Sequence, residues 1–121
     1  MLTPRQRFGN EGEALAAAFL RSKGCRILAR QVRVGRWGEL DLVAERRGML
    51  VFVEVKTRHD AAFGTPEESV TPAKLEKLTR AIEAFRHERG LERVPYRLDV
   101  VAVDMAGGGA PRIRHYESVG A

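Results

Sequence analysis

The chain has 121 residues, 44% of them hydrophobic and 31% charged, with a formal net charge of +5 and a sequence pI near 10.0. That length fits one domain, residues 1–121, with one buried core. Its apolar residues fall in short periodic runs, which excludes a membrane-spanning segment of roughly 18 or more apolar residues. The start, MLTPRQRFGNEGE, offers no apolar core for a signal peptide, so the expected location is the cytoplasm. A single cysteine, Cys25, excludes an internal disulfide and a thiolate cluster, and reads as a small buried hydrophobe at a strand start. The arginine-rich positive charge suits a polyanionic partner, although no dense basic tract is present.

In chain order, Asn10 is the expected N-cap of a first helix, with Glu13 three residues on as its capping-box partner. Leu15, Phe19 and Leu20 share a broad apolar face, and Gly24 closes the helix. Ile27 to Val34 alternates as a half-buried strand does, and Gly35 to Gly38 makes a turn. The runs GELDLVAE and MLVFVEVKT, separated by Arg47 and Gly48, read as a hairpin. His59 to Val70 reads as a loop. Thr71 and Pro72 then supply an N-cap and a proline at the first helical position. Leu75, Leu78, Ile82 and Phe85 recur at helical spacing until Gly90. A strong strand, Tyr96 to Met105, and a weaker one around Arg112 to Tyr116 complete the chain.

The hairpin carries the chemistry. Period-two alternation puts Glu39 and Asp41 on one face of the first strand, and Glu54 and Lys56 on one face of the second. With Arg47 and Gly48 as the two turn residues, Arg46 pairs with Met49, so Asp41 faces Glu54 and Glu39 faces Lys56. Two carboxylates with Cβ atoms about 5 Å apart are unfavourable without a compensating cation. An all-oxygen donor set suits Mg2+ or Mn2+ rather than zinc, and His59, His87 and His115 show no ligand spacing. A structural reading competes: strands at sheet edges often carry charges, and a Glu39–Lys56 pair would simply hold two strands together. Against it, Glu54 and Lys56 interrupt an apolar run where uninterrupted apolar residues would pack better.

The blocks GNEGEALAAAFLRSKG, GELDLVA, LVFVEVKTR and RLDVVAV, in this order and spacing, resemble the bacterial YraN family. That resemblance implies a restriction-endonuclease-like α/β fold, a central mixed sheet flanked by helices in the order αβββαββ. It also implies the PD-(D/E)xK nuclease core, in which Asp41, Glu54 and Lys56 take the motif positions. Glu13 matches a helical glutamate that some resolvase-like members bring to the same metal, whereas the residues alone make it a capping-box partner. The expected catalytic set is therefore Asp41, Glu54 and Lys56 with Glu13 and Glu39, and the expected metal ligands are Asp41, Glu54 and Glu13.

The function expected is Mg2+- or Mn2+-dependent hydrolysis of DNA phosphodiesters. Branched or otherwise structured DNA is the expected substrate, because so short a chain leaves little room for reading a base sequence. A homodimer fits that reading. The alternative is a non-catalytic nucleic-acid-binding or protein-interaction module that keeps the nuclease fold. Arg58 is expected as a phosphate contact at the rim, on the opposite strand face from Lys56. Lys74, Lys77 and Arg80, on the exposed side of the second helix, form the expected positioning patch for DNA, against the alternative that they are ordinary solvated charges.

Overall fold

A computed structural model describes residues 1–58, 70–105 and 107–120. The first helix, α1 (Pro4–Ser22), starts six residues before Asn10 and is capped by Thr3, whose hydroxyl accepts from the Gln6 N–H at 3.1 Å. The Gln6 side chain returns the bond to the Thr3 N–H at 2.9 Å, so the capping box is Thr3 with Gln6 and not Asn10 with Glu13. This correction matters for the site, because Glu13 lies mid-helix with its carboxylate unclaimed by a cap. Gly24, at φ +92°, follows the helix end as expected.

Strand β1 (Arg26–Arg33) leads through a short 3-10 turn, Gly35–Trp37, into β2 (Glu39–Arg46) and β3 (Met49–Arg58). Arg47 and Gly48 both have positive φ, at 53° and 80°, the conformation that joins two antiparallel strands by a two-residue turn. That turn fixes the register anticipated from sequence, from Arg46 opposite Met49 to Leu42 opposite Val53. Helix α2 (Pro72–Glu88), capped by the Thr71 hydroxyl on the Lys74 N–H, carries the chain to β4 (Tyr96–Asp104), which pairs parallel to β3. Strand β5 (Arg112–Tyr116) then pairs antiparallel to β4. The loop expected from His59 to Val70 falls, apart from Val70, outside the described residues.

The result is the expected αβββαββ α/β architecture: a mixed five-stranded sheet in the order β1-β2-β3-β4-β5 with a helix on each face. Strand parity divides the core between those faces. Val51 and Val53 pack with Leu42 under Ala16, Ala17 and Leu20 of α1. Leu50 and Phe52 pack with Val43 under Ala81, Ile82 and Phe85 of α2. Strand β3 is buried on both faces, so its polar residues Glu54 and Lys56 stand out from an apolar surround. Cys25 is buried in the α1-side core, as expected. No described helix is long and apolar enough to cross a membrane.

Candidate metal and phosphate site

Strands β2 and β3 stop pairing beyond Leu42 and Val53, while β2 stays paired with β1 as far as Glu39 opposite Arg33. Asp41 sits at this fork. Its Oδ2 accepts from the Val55 N–H at 2.8 Å, so a carboxylate takes the place of a ladder carbonyl. The Glu54 carboxyl lies near enough to act on it electrostatically. The facing of Asp41 and Glu54 expected from parity therefore holds.

Burial, and then the Glu54 carboxylate beside it, push the Asp41 carboxyl up to about 8, against the opposing pull of the Val55 N–H; Glu13 adds to the rise. Burial likewise raises Glu13, opposed by a hydrogen bond from Gln31 and by the charge of Arg30. One oxygen of Glu13, Oε1, is buried and accepts no hydrogen bond. Carboxyl groups from α1, β2 and β3 thus meet electrostatically at one place, although their residues are far apart in the chain.

Lys56 does not pair with Glu39. Its Nζ lies 3.2 Å from Glu54 Oε1, with the two side chains only 23% and 16% exposed. Pairing across the fork would need β2 to follow β3 further than it does. Glu39 instead shares a cleft of about 230 Å3 with Glu54, Lys56, Trp37, Lys74 and Lys77. Lys74 and Lys77 thus reach the acidic site from α2, and neither is in an ion pair among the described residues. Arg80 does not line this cleft: it pairs with Glu76 at 3.1 Å and lies 5.3 Å over the Trp37 ring.

Arg58 is also placed differently from expectation. The unbroken β3–β4 register gives it the parity of Glu54 and Lys56, not the opposite face, and its guanidinium is 2.8 Å from Asp104. With 18% side-chain exposure it ties β3 to β4 and is not presented at a rim. Of the histidines, His87 pairs with Glu92 at the surface and His115 with the buried Asp99 at 2.7 Å, while His59 lies outside the described residues.

Among the described residues, no group of three or more His, Cys, Asp or Glu side chains is set to hold a metal ion. Magnesium does not need one, because it binds through one or two carboxylates and keeps several waters. Two neighbouring carboxyls, one of them raised by burial and then by the other, and a nearby buried carboxyl oxygen with no partner fit a hydrated Mg2+ or Mn2+ ion. The donor set does not fit zinc.

The model of the uncharacterised protein family UPF0102 matches residues 12–103, the stretch that holds all of these carboxylates. The chain belongs to that family. UPF0102 is the YraN family of the sequence resemblance. A UPF0102 protein of Symbiobacterium thermophilum is 48% identical, covering 90% of this chain and 92% of that one. Another, of Syntrophotalea carbinolica, is 42% identical and covers 96% and 93%. A UPF0102 protein of Neisseria meningitidis is 44% identical over 79% of this chain and 83% of its own. Among solved structures, Pyrococcus furiosus SfsA in complex with Ca2+ is similar at 18% identity and a TM-score of 0.39, covering 92% of this chain and 63% of that one.

Three features of the site escaped the sequence reading. Gln31 bonds both Asn10 and Glu13, at 2.9 and 3.4 Å. Trp37 closes one side of the cleft from the 3-10 turn. Gly12 lies so close to β3 that a Cβ there would stand 2.0 Å from Thr57 Oγ1. Only the last had a signal, a glycine inside a helix, which marks close backbone approach.

Proposed function

We propose that this protein is a Mg2+- or Mn2+-dependent nuclease that hydrolyses DNA phosphodiester bonds, with branched or otherwise structured DNA as its substrate. The observation that carries the reading is the electrostatic proximity of the Asp41 and Glu54 carboxyls at the strand fork, where Asp41 accepts from the Val55 N–H, beside a cleft walled by Glu54, Lys56, Lys74 and Lys77. Repulsion between two half-buried acids works against the fold unless something positive is held there. Lys56 already offsets the charge of Glu54, and Asp41 and Glu54 together would hold a divalent ion that balances the rest. Glu13 would add its free oxygen to that ion, through water. When bound, the ion polarises the phosphodiester and lowers the pKa of a water.

The chain's own residues do the remaining work. Lys56, ion-paired with Glu54, holds an oxygen of the scissile phosphate. Lys74 and Lys77 hold phosphates on the other wall of the cleft, contacts that carry affinity and not base identity. Glu39 faces the same cleft and orients Lys56 electrostatically. A homodimer, bringing two such sites to two strands, belongs to the same proposal.

The test is incubation with duplex, single-stranded, flapped and four-way DNA in magnesium, manganese or chelator, beside an Asp41→Ala/Glu54→Ala double variant whose fold is checked by circular dichroism. Cleavage that needs the metal and vanishes in the double variant is the expected result, strongest on a structured member. Tight DNA binding retained by the double variant, with no cleavage on any member, would overturn the proposal in favour of a binding module.

A further inference from the structure

Gln31 has φ +50°, in the left-handed region that a non-glycine residue within a strand adopts only under strain. The β1–β2 register has Arg30 opposite Leu42 and Val32 opposite Leu40, so the position facing Gln31 is Asp41. From there its amide Nε2 donates at 2.9 Å to Asn10 Oδ1 and at 3.4 Å to Glu13 Oε2. Asn10 and Glu13 are three residues apart and so neighbours on the surface of α1. The second oxygen of Glu13, Oε1, is the buried one without a hydrogen-bond partner. A buried carboxyl oxygen left so is unfavourable unless a ligand takes it.

We infer that Gln31 is a positioning residue that acts through Glu13: bridged to Asn10, it holds one carboxylate oxygen so that the other is left free toward an ion on Asp41 and Glu54. This rests on the reading of the acidic site as a divalent-ion site. The strained backbone has a use in that arrangement, since a relaxed strand residue would direct its side chain elsewhere. A glycine at position 31 relaxes the backbone and removes the arm, so stability and ion affinity move in opposite directions. A residue that merely braced α1 against β1 would lose stability when truncated and leave ion affinity alone.

The experiment is calorimetric titration of metal-stripped protein with Mn2+, together with thermal melts, on the wild type, Gln31→Gly, Gln31→Met, Glu13→Gln and the Gln31→Gly/Glu13→Gln pair. Gln31→Gly is expected to melt at or above the wild-type temperature while its Mn2+ dissociation constant rises about tenfold or more, as removal of an outer-shell partner does. Gln31→Met, which keeps the length and lacks the donor, is expected to lose the same affinity. Glu13→Gln should lose it too, and the pair should lose no more than either alone, because both changes remove one interaction. Unchanged Mn2+ affinity in both Gln31 variants, or additive losses in the pair, would overturn the inference and leave the nuclease reading standing. A wild type that binds no Mn2+ would overturn both.

Discussion

Asp41 and Val55 meet where the hairpin opens, the carboxylate of one accepting the backbone N–H of the other at 2.8 Å. That bond pulls the Asp41 carboxyl down, and it is outweighed by burial and by Glu54, which together raise it to about 8 from an ordinary 3.8. A carboxyl raised on folding stabilises the protein while it is protonated in both states, below about pH 4. As pH rises through the interval to about 8 the unfolded chain ionises first, so that stability is progressively lost, and the slope flattens above it.

In chelator, therefore, the wild type is expected to lose stability steadily from about pH 4 to pH 8. Asp41→Asn, which has no proton to lose and still accepts from Val55, should flatten most of that slope and be more stable at pH 7 by about 1–4 kcal/mol. Urea unfolding at a series of pH values measures both. Saturating Mn2+ should raise the wild-type melting temperature by about 5–10 °C and leave the variant nearly unmoved. An Asp41→Asn slope equal to the wild-type slope would locate the titrating group elsewhere.

Much of this site follows from local rules. The Arg47–Gly48 turn fixes the hairpin register, and the register fixes the facing of Asp41 and Glu54. What local rules do not reach is the fork: nothing in GELDLVAE says that pairing with β3 ends at Leu42, and so Lys56 turns to Glu54 instead of Glu39. Arg58 is redirected by Asp104, a partner 46 residues away brought alongside by the parallel β3–β4 pairing. Glu13 was obscured by a plausible cap at Asn10, although Thr3 and Gln6 offer the same capping spacing earlier in the chain. The left-handed Gln31 has no sequence signal, because glutamine carries no preference for that conformation.

Lys56 separates catalysis from docking. Its ammonium lies 3.2 Å from Glu54 and lines the same cleft, where the proposed reaction would bring a phosphate to it. Lys56→Ala is expected to lower the single-turnover cleavage rate by about 100-fold or more while DNA affinity changes far less, the pattern of an interaction made chiefly in the transition state. Equal losses in rate and affinity would make it a docking residue.

Lys74 and Lys77 make the complementary case. They are exposed on α2 and line the cleft, whereas Arg80 is turned onto Trp37 and Glu76. Lys74→Glu/Lys77→Glu should weaken binding to unrelated DNA sequences alike, and should reduce the slope of log affinity against log salt by about 2, roughly 0.9 for each phosphate no longer neutralised. Arg80→Glu should change that slope less. A salt dependence unaltered by the lysine pair would remove α2 from the DNA surface.

Gly12 sets how near α1 comes to β3, and through that where Glu13 stands. In an exposed helix interior, replacing glycine by alanine stabilises by up to about 1 kcal/mol. Here the new Cβ would meet Thr57 Oγ1 at 2.0 Å and the Thr57 Cβ and Cγ2 at 3.0 Å, so helix and strand must move apart. Overpacking of this kind typically costs about 1–3 kcal/mol, which outweighs the propensity gain. Gly12→Ala is therefore expected to lower stability in urea, and, because the displaced helix carries Glu13 away from Asp41, to weaken Mn2+ binding as well. Thr57→Ala added to it removes Oγ1 and Cγ2 and should restore part of both losses. A Gly12→Ala protein more stable than the wild type, with Mn2+ binding intact, would show that the helix position has slack to yield and that Glu13 is not held by this approach of helix to strand.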